Sequence, residues 1–427
     1  MTALQKFWFG GDLPRGWEAR RIKRVAAQIV ERVPEDLAQG QTYLGLEHVE
    51  SKTGRVLRDA DGAGSALETA AVEVADEDSQ SGATHFSRGD VLFGKLRPYL
   101  GKVARPEFDG VCSAEFVVLR SGGRLDSQFL QYVLLADGFV RWINSFSFGA
   151  KMPRVDPTRL LVTHVPVPPL DEQRRIAKFL LTRTAEIDAL IETKRDIMGL
   201  LNEGYGATLT SVFSELTPTA RLVPLRRHVL SVEQGISPVC ENRTKDEGEW
   251  GVLTLSAVSR GKFRAEEHKT LPPDVVPQPR YEVKEGDLLI TRANTPNLVG
   301  DVSVATGVPP RLLLPDLIYR VRLGDQLLPE YVGLFLLSSQ GRGHISSVAR
   351  GSSRSMVKIR GADIKAVPIP VVPIDRQREA VHVVEARSAY FQQVRQVVEK
   401  TIAKLQEYRA AIVSAAVTGS LDLKDAA

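Results

Sequence analysis

The chain has 427 residues, 43% hydrophobic and 25% charged, with a formal net charge of +4. That balance suits globular units with buried cores and excludes a disordered, highly charged chain. The slight positive charge permits nucleic-acid binding without requiring it. Cys112 and Cys240 stand alone, with no zinc-type spacing and no disulfide framework, which fits a reduced, cytoplasmic setting. No apolar run is long enough to span a bilayer, and the opening apolar stretch is too short for a signal peptide.

Residues 1–12 read as a loose lead-in. LPRGWEARRIKRVA (13–26) opens a first unit, with Trp17 as an aromatic anchor beside a Pro/Gly turn. Residues 40–125 carry short strand patterns: TYLGLEHV, VEVADED, THFSRGDVLFGKL and GVCSAEFVVLR. Ser127 to Asn144 predicts one helix with a serine cap. The loop SFSFGAKMPRV (145–155) and the extended proline segment VPVPPLD (165–171) follow.

Asp171 to Phe213 then predicts a long, proline-free helix. Its seam runs through Ile176, Leu180, Arg183, Ile187, Leu190, Lys194, Ile197 and Leu201, the 3.5-residue period of a helix packed lengthwise on another.

The order then repeats. LVPLRRHVLSV (222–232) matches the first opening, and WGVLTLSAV (250–258) matches TYLGLEHV. Residues 281–305 match 86–104, the helix pattern at 329–349 matches the Ser127 helix, and 350–364 match the 148–160 loop. A second proline segment, VPIPVVPID (367–375), is two residues longer than the first and leads into a second long helix. Its seam reads Ala380, Val384, Arg387, Phe391, Val394, Val398, Thr401, Leu405, Tyr408 and Ile412. A shift of 204 carries Gln173-Arg174 onto Gln377-Arg378 and Arg183 onto Arg387. The expected fold is therefore α+β: two mixed α/β units separated by two long helices packed antiparallel, with an internal two-fold pseudo-repeat. The expected boundaries are 1–166, 167–216, 217–370 and 371–427.

The chain has no GxxxxGK loop, no GxGxxG after a strand, no GxSxG elbow and no HExxH. It also lacks the Asp/Asn-Pro-Pro-aromatic motif that holds an adenine for methylation. Asp274 with Glu282 and Lys284 loosely matches a PD…ExK nuclease pattern, but the second part overlaps a turn matched by Ser87–Asp90, which lacks those carboxylates. The expectation is no catalytic residue, no metal and no cofactor in this chain, with a stand-alone nuclease as the alternative.

Basic loops recur at matching places and are the candidate nucleic-acid contacts. In the first unit they hold Lys95, Arg97, Lys102, Lys151 and Arg154; in the second, Arg292, Asn294, Arg350, Ser352, Ser353, Arg354, Lys358 and Arg360. Ordinary surface loops of a basic protein carry such residues too; their recurrence in both halves is what singles them out. The cations interrupting the helical seams, Arg183, Lys194 and Arg387, would snorkel or meet a partner protein.

LPRGW (13–17), RGDVLFGKLRPYLGK (88–102), VPVPPLDEQRRIA (165–177), EGDLLITR (285–292), VPIDRQRE (372–379) and LQEYRAAIVSAAVTGSLDL (405–423) together resemble the specificity subunit of type I restriction–modification systems. The resemblance runs from Leu13 to Leu421. It implies two target recognition domains, each reading half of a split site in double-stranded DNA, with the helices setting the spacer and docking two methyltransferase subunits, which recruit restriction subunits. S-adenosylmethionine, ATP and magnesium would be used by those partners, and the chain itself would be non-catalytic. The central helix departs from the pattern with GYGATLTSVF where the C-terminal helix has YRAAIVSAAV, so a looser or bent end is expected there. The remaining alternative is a pure scaffold with two protein-binding heads.

Overall fold

The computed structural model describes residues 8–10, 13–33, 41–57, 83–353 and 356–421. The expected strand VEVADED lies outside them. The chain divides into two units, Met1–Lys194 with Lys400–Ala427, and Arg195–Glu399. Each long helix is thus shared, one part to each unit.

In the first unit the strands are β1 (Glu18–Arg21), β2 (Ala26–Ile29), β3 (Arg32–Val33), β4 (Tyr43–Leu44), β5 (Ala83–Phe86), β6 (Val91–Gly94), β7 (Val103–Ala104), β8 (Gly110–Cys112), β9 (Phe116–Ser121) and β10 (His164–Val167). Its helices are α1 (Ser127–Leu135), α2 (Asp137–Asn144), α3 (Pro157–Val162) and the start of α4 (Leu170–Leu216). The main sheet runs β2-β9-β6-β7, all antiparallel, and a second runs β3-β5-β8-β4. Strand β6 is buried on both faces, and its alternation sorts the side chains. Val91 and Phe93 join the helical core with Phe129, Leu180 and Val417; Leu92 joins a smaller core with Phe86 and Val118. Among the described residues the proline strand β10 pairs only with β1, an edge position that tolerates the missing proline donor.

The second unit repeats the plan. Its strands are β11 (Arg221–Pro224), β12 (Val229–Gln234), β13 (Gly251–Leu253), β14 (Val258–Ser259), β15 (Lys262–Phe263), β16 (His268–Thr270), β17 (Leu288–Thr291), β18 (Ala293–Asn294), β19 (Val302–Val304), β20 (Leu312–Leu313), β21 (Ile318–Leu323), β22 (Arg350–Ser353), β23 (Met356–Lys358) and β24 (Pro368–Val371). Its helices are α5 (Pro329–Leu337), α6 (Ser339–Val348), α7 (Gly361–Ala366) and the start of α8 (Ile374–Thr418). The sheet β12-β21-β17-β19 corresponds to β2-β9-β6-β7, and β11-β24 to β1-β10. Leu288 and Ile290 face the helical core while Leu289 faces a smaller one.

The expected helix over 127–144 is two helices. Ala136 is extended (φ −60°, ψ 131°), ends α1 and precedes α2. The cap is Asp126, whose side chain accepts from the Phe129 amide at 2.9 Å, and not Ser127. Residues 129–135 are buried without a polar stripe, so the sequence carried no phase change to mark the break. Ser338 makes the same corner between α5 and α6. There a Cβ on Gly341 would lie 2.2 Å from the Phe335 carbonyl oxygen, so this corner needs glycine.

The long helices pack antiparallel. In the first unit Asp188 of α4 meets Arg409 of α8 at 2.8 Å. In the second, Asn202 meets Arg395, and a Cβ on Gly204 would lie 3.3 Å from the Phe391 ring. Helix α4 is unbroken through Gly199, Gly204 and Gly206 to Leu216, so the expected loosening does not interrupt it. Four expected seam positions are displaced by one residue. Arg183, Leu190, Arg387 and Tyr408 are exposed, and the inward places go to Thr184, Ile191, Ser388 and Arg409. A helix of 3.6 residues per turn drifts from a 3.5-residue template, and here that drift decides the face. Arg183 instead pairs with Glu186 along the helix surface at 2.9 Å.

Gln173 and Gln377, fully buried in the first turns of α4 and α8, pin each unit. The Gln173 carboxamide oxygen accepts from the Asp126 amide at 2.8 Å; its nitrogen donates to the Arg124 and Pro168 carbonyls at 3.0 and 2.8 Å. Gln377 accepts from Leu328 at 2.9 Å and donates to Gln326 and Val372, each at 2.8 Å. Gln377→Leu should destabilise the folded chain by about 3 kcal/mol, because buried backbone groups lose their partners. Chemical denaturation measures this; a loss under about 1 kcal/mol would show the amide to be replaceable.

Candidate nucleic-acid interface

Two pieces of chain, distant in sequence, build each basic site. In the first unit the end of β6 runs into Lys95, Leu96 and Arg97. The Lys95 amide donates to Glu115 O at 2.9 Å, and Lys95 O accepts from Val155 N at 3.0 Å. Leu96 bridges Arg154, and Arg97 N donates to Pro153 O at 2.7 Å. Arg97 is held at φ 48°, a left-handed conformation uncommon for a non-glycine residue, just before Pro98. The second piece is a hairpin in which Phe148 and Arg154 exchange two backbone bonds of 2.9 Å, with Lys151 exposed between them. Lys95, Arg97, Lys151 and Arg154 are therefore brought together.

The second unit uses the same framework. Arg292 N donates to Leu317 O at 2.7 Å, and Arg292 O accepts from Ile359 N at 2.9 Å. Strands β18, β23 and β22 form a small sheet that sets Ala293, Lys358 and Arg350 side by side. The expected loop at 350–360 is thus largely a hairpin; its backbone partners come from 293–294, which local sequence does not show. Val155 and Ile359 are 204 residues apart, as are Arg154 and Lys358, so the hydrogen-bond pattern places Lys95 opposite Arg292 and Arg97 opposite Asn294 in the repeat. Asn294 caps its own loop, accepting from Thr295 N at 2.8 Å. Arg354 lies outside the described residues; Ser352 and Ser353 are placed on β22 by backbone alone.

The charges fall into two groups. Arg154 pairs with Glu115 at 3.0 Å and Arg360 lies 3.7 Å from Asp363. Among the described residues no acid pairs with Arg97, Lys151, Arg292, Arg350 or Lys358, so their charge is open to a polyanion. Lys102 does not belong with them. Its Nζ donates to the Leu46 carbonyl at 2.6 Å, and burial pushes its ammonium below the usual lysine range.

The Gly-Asp turns are structural. Asp90 accepts from Ser87 N at 2.9 Å and holds Arg120 at 2.8 and 2.7 Å. Asp287 accepts from Lys284 N at 2.8 Å and meets Arg320 at 3.2 Å. Buried Arg320 also meets Glu233 at 2.5 Å and the Glu282 and Arg280 carbonyls at 2.7 and 2.8 Å. The Glu282 carboxylate of the nuclease-like pattern is engaged by Arg311 N at 2.7 Å, and Asp274 is exposed. Among the described residues no group of three His, Cys, Asp or Glu could hold a metal ion. Burial pushes the Cys112 thiol up to about 12, which leaves it a poor nucleophile. No helix among the described residues is long and apolar enough to cross a membrane.

Sequence reasoning passed over Met152 and Met356, which are 50% and 44% exposed inside the two basic loops. The available signal was their shared spacing of 204. Lys102→Met should lower the melting temperature by about 2–4 °C, the shift expected for about 1 kcal/mol in a unit of this size. Arg97→Ala should leave it within about 1 °C, as exposed sites do. Scanning calorimetry compares the two, and equal shifts would contradict the division of roles.

Residues 69–197 match the type I restriction modification DNA specificity domain. The chain is 28% identical over 334 residues to the type I restriction enzyme EcoKI specificity subunit of Escherichia coli, covering 75% of this chain and 72% of that protein. It is 20% identical over 432 residues to the StySPI specificity subunit of Salmonella potsdam, covering 96% and 90%. A chain solved in work on complex assembly and conformational transition of the type I R-M system shares the fold, with a TM-score of 0.65 at 21% identity over 96% of this chain and 100% of that one. The relatives are named specificity subunits. On these likenesses the chain is similar to the specificity subunits of type I restriction–modification systems.

Proposed function

We propose that each unit is a target recognition domain, and that the chain reads a bipartite site in double-stranded DNA. The supporting observation is the duplicated basic framework: one hydrogen-bond pattern presents Lys95, Arg97, Lys151 and Arg154 in one unit and Arg292, Asn294, Arg350, Lys358 and Arg360 in the other. Their cations would position phosphates, and the neighbouring polar groups would reach base edges. The proposed boundaries are 1–166 and 217–370 for the readers, with 167–216 and 371–427 as spacer helices. The helices would dock two methyltransferase subunits in the cytoplasm, and these would recruit restriction subunits. S-adenosylmethionine, ATP and magnesium would be held by those partners.

The direct test is base-modification mapping of the host genome with this gene intact and deleted. The expected result is loss of one split motif modified on adenine in both halves. Loss of a single uninterrupted motif would sink the bipartite reading. No loss, together with no methyltransferase recovered in a pull-down, would sink the adaptor reading.

A second test concerns the spacer. One heptad added to both α4 and α8 lengthens the pair by about 10 Å. The gap between half-sites should grow by about 3 base pairs, at about 3.4 Å each, with the half-sites unchanged. An unaltered gap would show that the helices do not set the spacing.

A further inference from the structure

Met152 and Met356 are two of the four methionines in the chain and stand 204 residues apart. Each sits in a basic loop with its side chain about half exposed. The loops differ in length, yet in both a glycine backbone passes close to the methionine carbonyl. A Cβ on Gly149 would lie 3.1 Å from the Met152 carbonyl oxygen; one on Gly351 would lie 2.9 Å from that of Met356. On the far side Met152 is followed by Pro153, whose carbonyl is tied to Arg97 N at 2.7 Å. Met356 is followed by Val357, which pairs with Asn294.

Single exposed apolar side chains are common and need no explanation. Two at equivalent places, each in a loop that also carries a cation with no acidic partner among the described residues (Lys151 beside Met152, Lys358 near Met356), do need one. Phosphate contact has no use for a thioether. A base stack does, because an unbranched, polarisable side chain can press between base pairs once cations have docked the backbone.

Resting on the reading of both loops as DNA-facing, we propose that Met152 and Met356 are a matched pair of apolar wedges, each parting the base stack at one half-site. Such a wedge would prepare the duplex for chemistry by a partner that must take an adenine out of the stack.

The test uses the full chain and duplexes of its mapped target, with 2-aminopurine replacing each adenine in turn. Binding should raise the fluorescence at one step in each half-site. Met152→Ala should abolish the rise in one half-site only, and Met356→Ala in the other, while Met152→Leu should keep it. Met152→Ala should weaken binding about tenfold on intact duplex, and by no more than about twofold on a duplex with an abasic site at that step, where unstacking is already done. Specific binding by the unaltered chain with no fluorescence rise would overturn the wedge. So would an equal loss for Met152→Ala on intact and abasic duplexes, or a loss reproduced by replacing a thymine with uracil, which marks a groove methyl contact instead. An unaltered chain that binds its target no better than a scrambled duplex would sink the DNA-reading function together with the wedge.

Discussion

Each unit hangs on one buried carboxamide. A primary amide presents one acceptor and two donor hydrogens, and Gln173 and Gln377 use all three on backbone groups. The partners come from the turn before α1 or α5 and from the end of the proline segment. One side chain therefore ties the loop entering the helical layer, the strand leaving the unit and the first turn of the long helix. A carboxylate could supply none of the donors, and an aliphatic residue would leave buried polar groups unmet. The first turn of each long helix is thereby anchored to the loop and strand of its own unit.

The Gln-Arg pair at 173–174 and 377–378 was legible as a repeated word, and with it the two-fold plan. What was not legible was what each residue does. The seam positions show why. A 3.5-residue template placed Arg183, Leu190, Arg387 and Tyr408 inward, whereas the helix turns Thr184, Ile191, Ser388 and Arg409 there. Hydrophobicity along one strip cannot register that Thr184 meets the Tyr132 hydroxyl at 3.2 Å, or that Arg409 has Asp188 and two carbonyls of a distant turn as partners. Likewise the corner at Ala136 is marked only by the Asp137-Gly138 pair that follows it, which one continuous helical reading ran through. It follows from how α2 must lie against β6, a long-range demand.

The candidate cations divide for the same reason. Lys95, Arg97 and Lys102 read alike in sequence, being basic residues after a Gly-Asp strand. Strand β6 ends at Gly94, and the chain then crosses to Pro153 and Val155, which leaves Arg97 in water. Lys102 returns beneath the turn at Leu46 and spends its charge on a carbonyl. The hairpin partners 150–155 and 356–359 were separable from ordinary loops only by the constant interval of 204. Pattern identified the loops; pairing identified which residues share a surface.

The two units keep one frame and differ in what fills it. In the first, the turn at 52–54 is locked by Arg409 and by Gln131, which donates to Gly54 O at 3.1 Å. The repeat puts Tyr205 in place of Arg409 and Gln392 in place of Asp188, and the corresponding turn at Arg260–Gly261 is shorter. A cavity of about 410 Å³ opens there instead, lined by Tyr205, Gly261, Gly333 and Gln392, with the Ser303 hydroxyl, which also lines it, buried and without a hydrogen-bond partner among the described residues. The frame tolerates this because its essential bonds are elsewhere: in the glutamine pins, the Asp90–Arg120 and Asp287–Arg320 pairs, and the strands β6 and β17. A duplicated protein whose two units differ in their loops needs that separation. Change confined to loops and turns alters what each unit presents, while the bonds that anchor the first turn of each long helix stay the same.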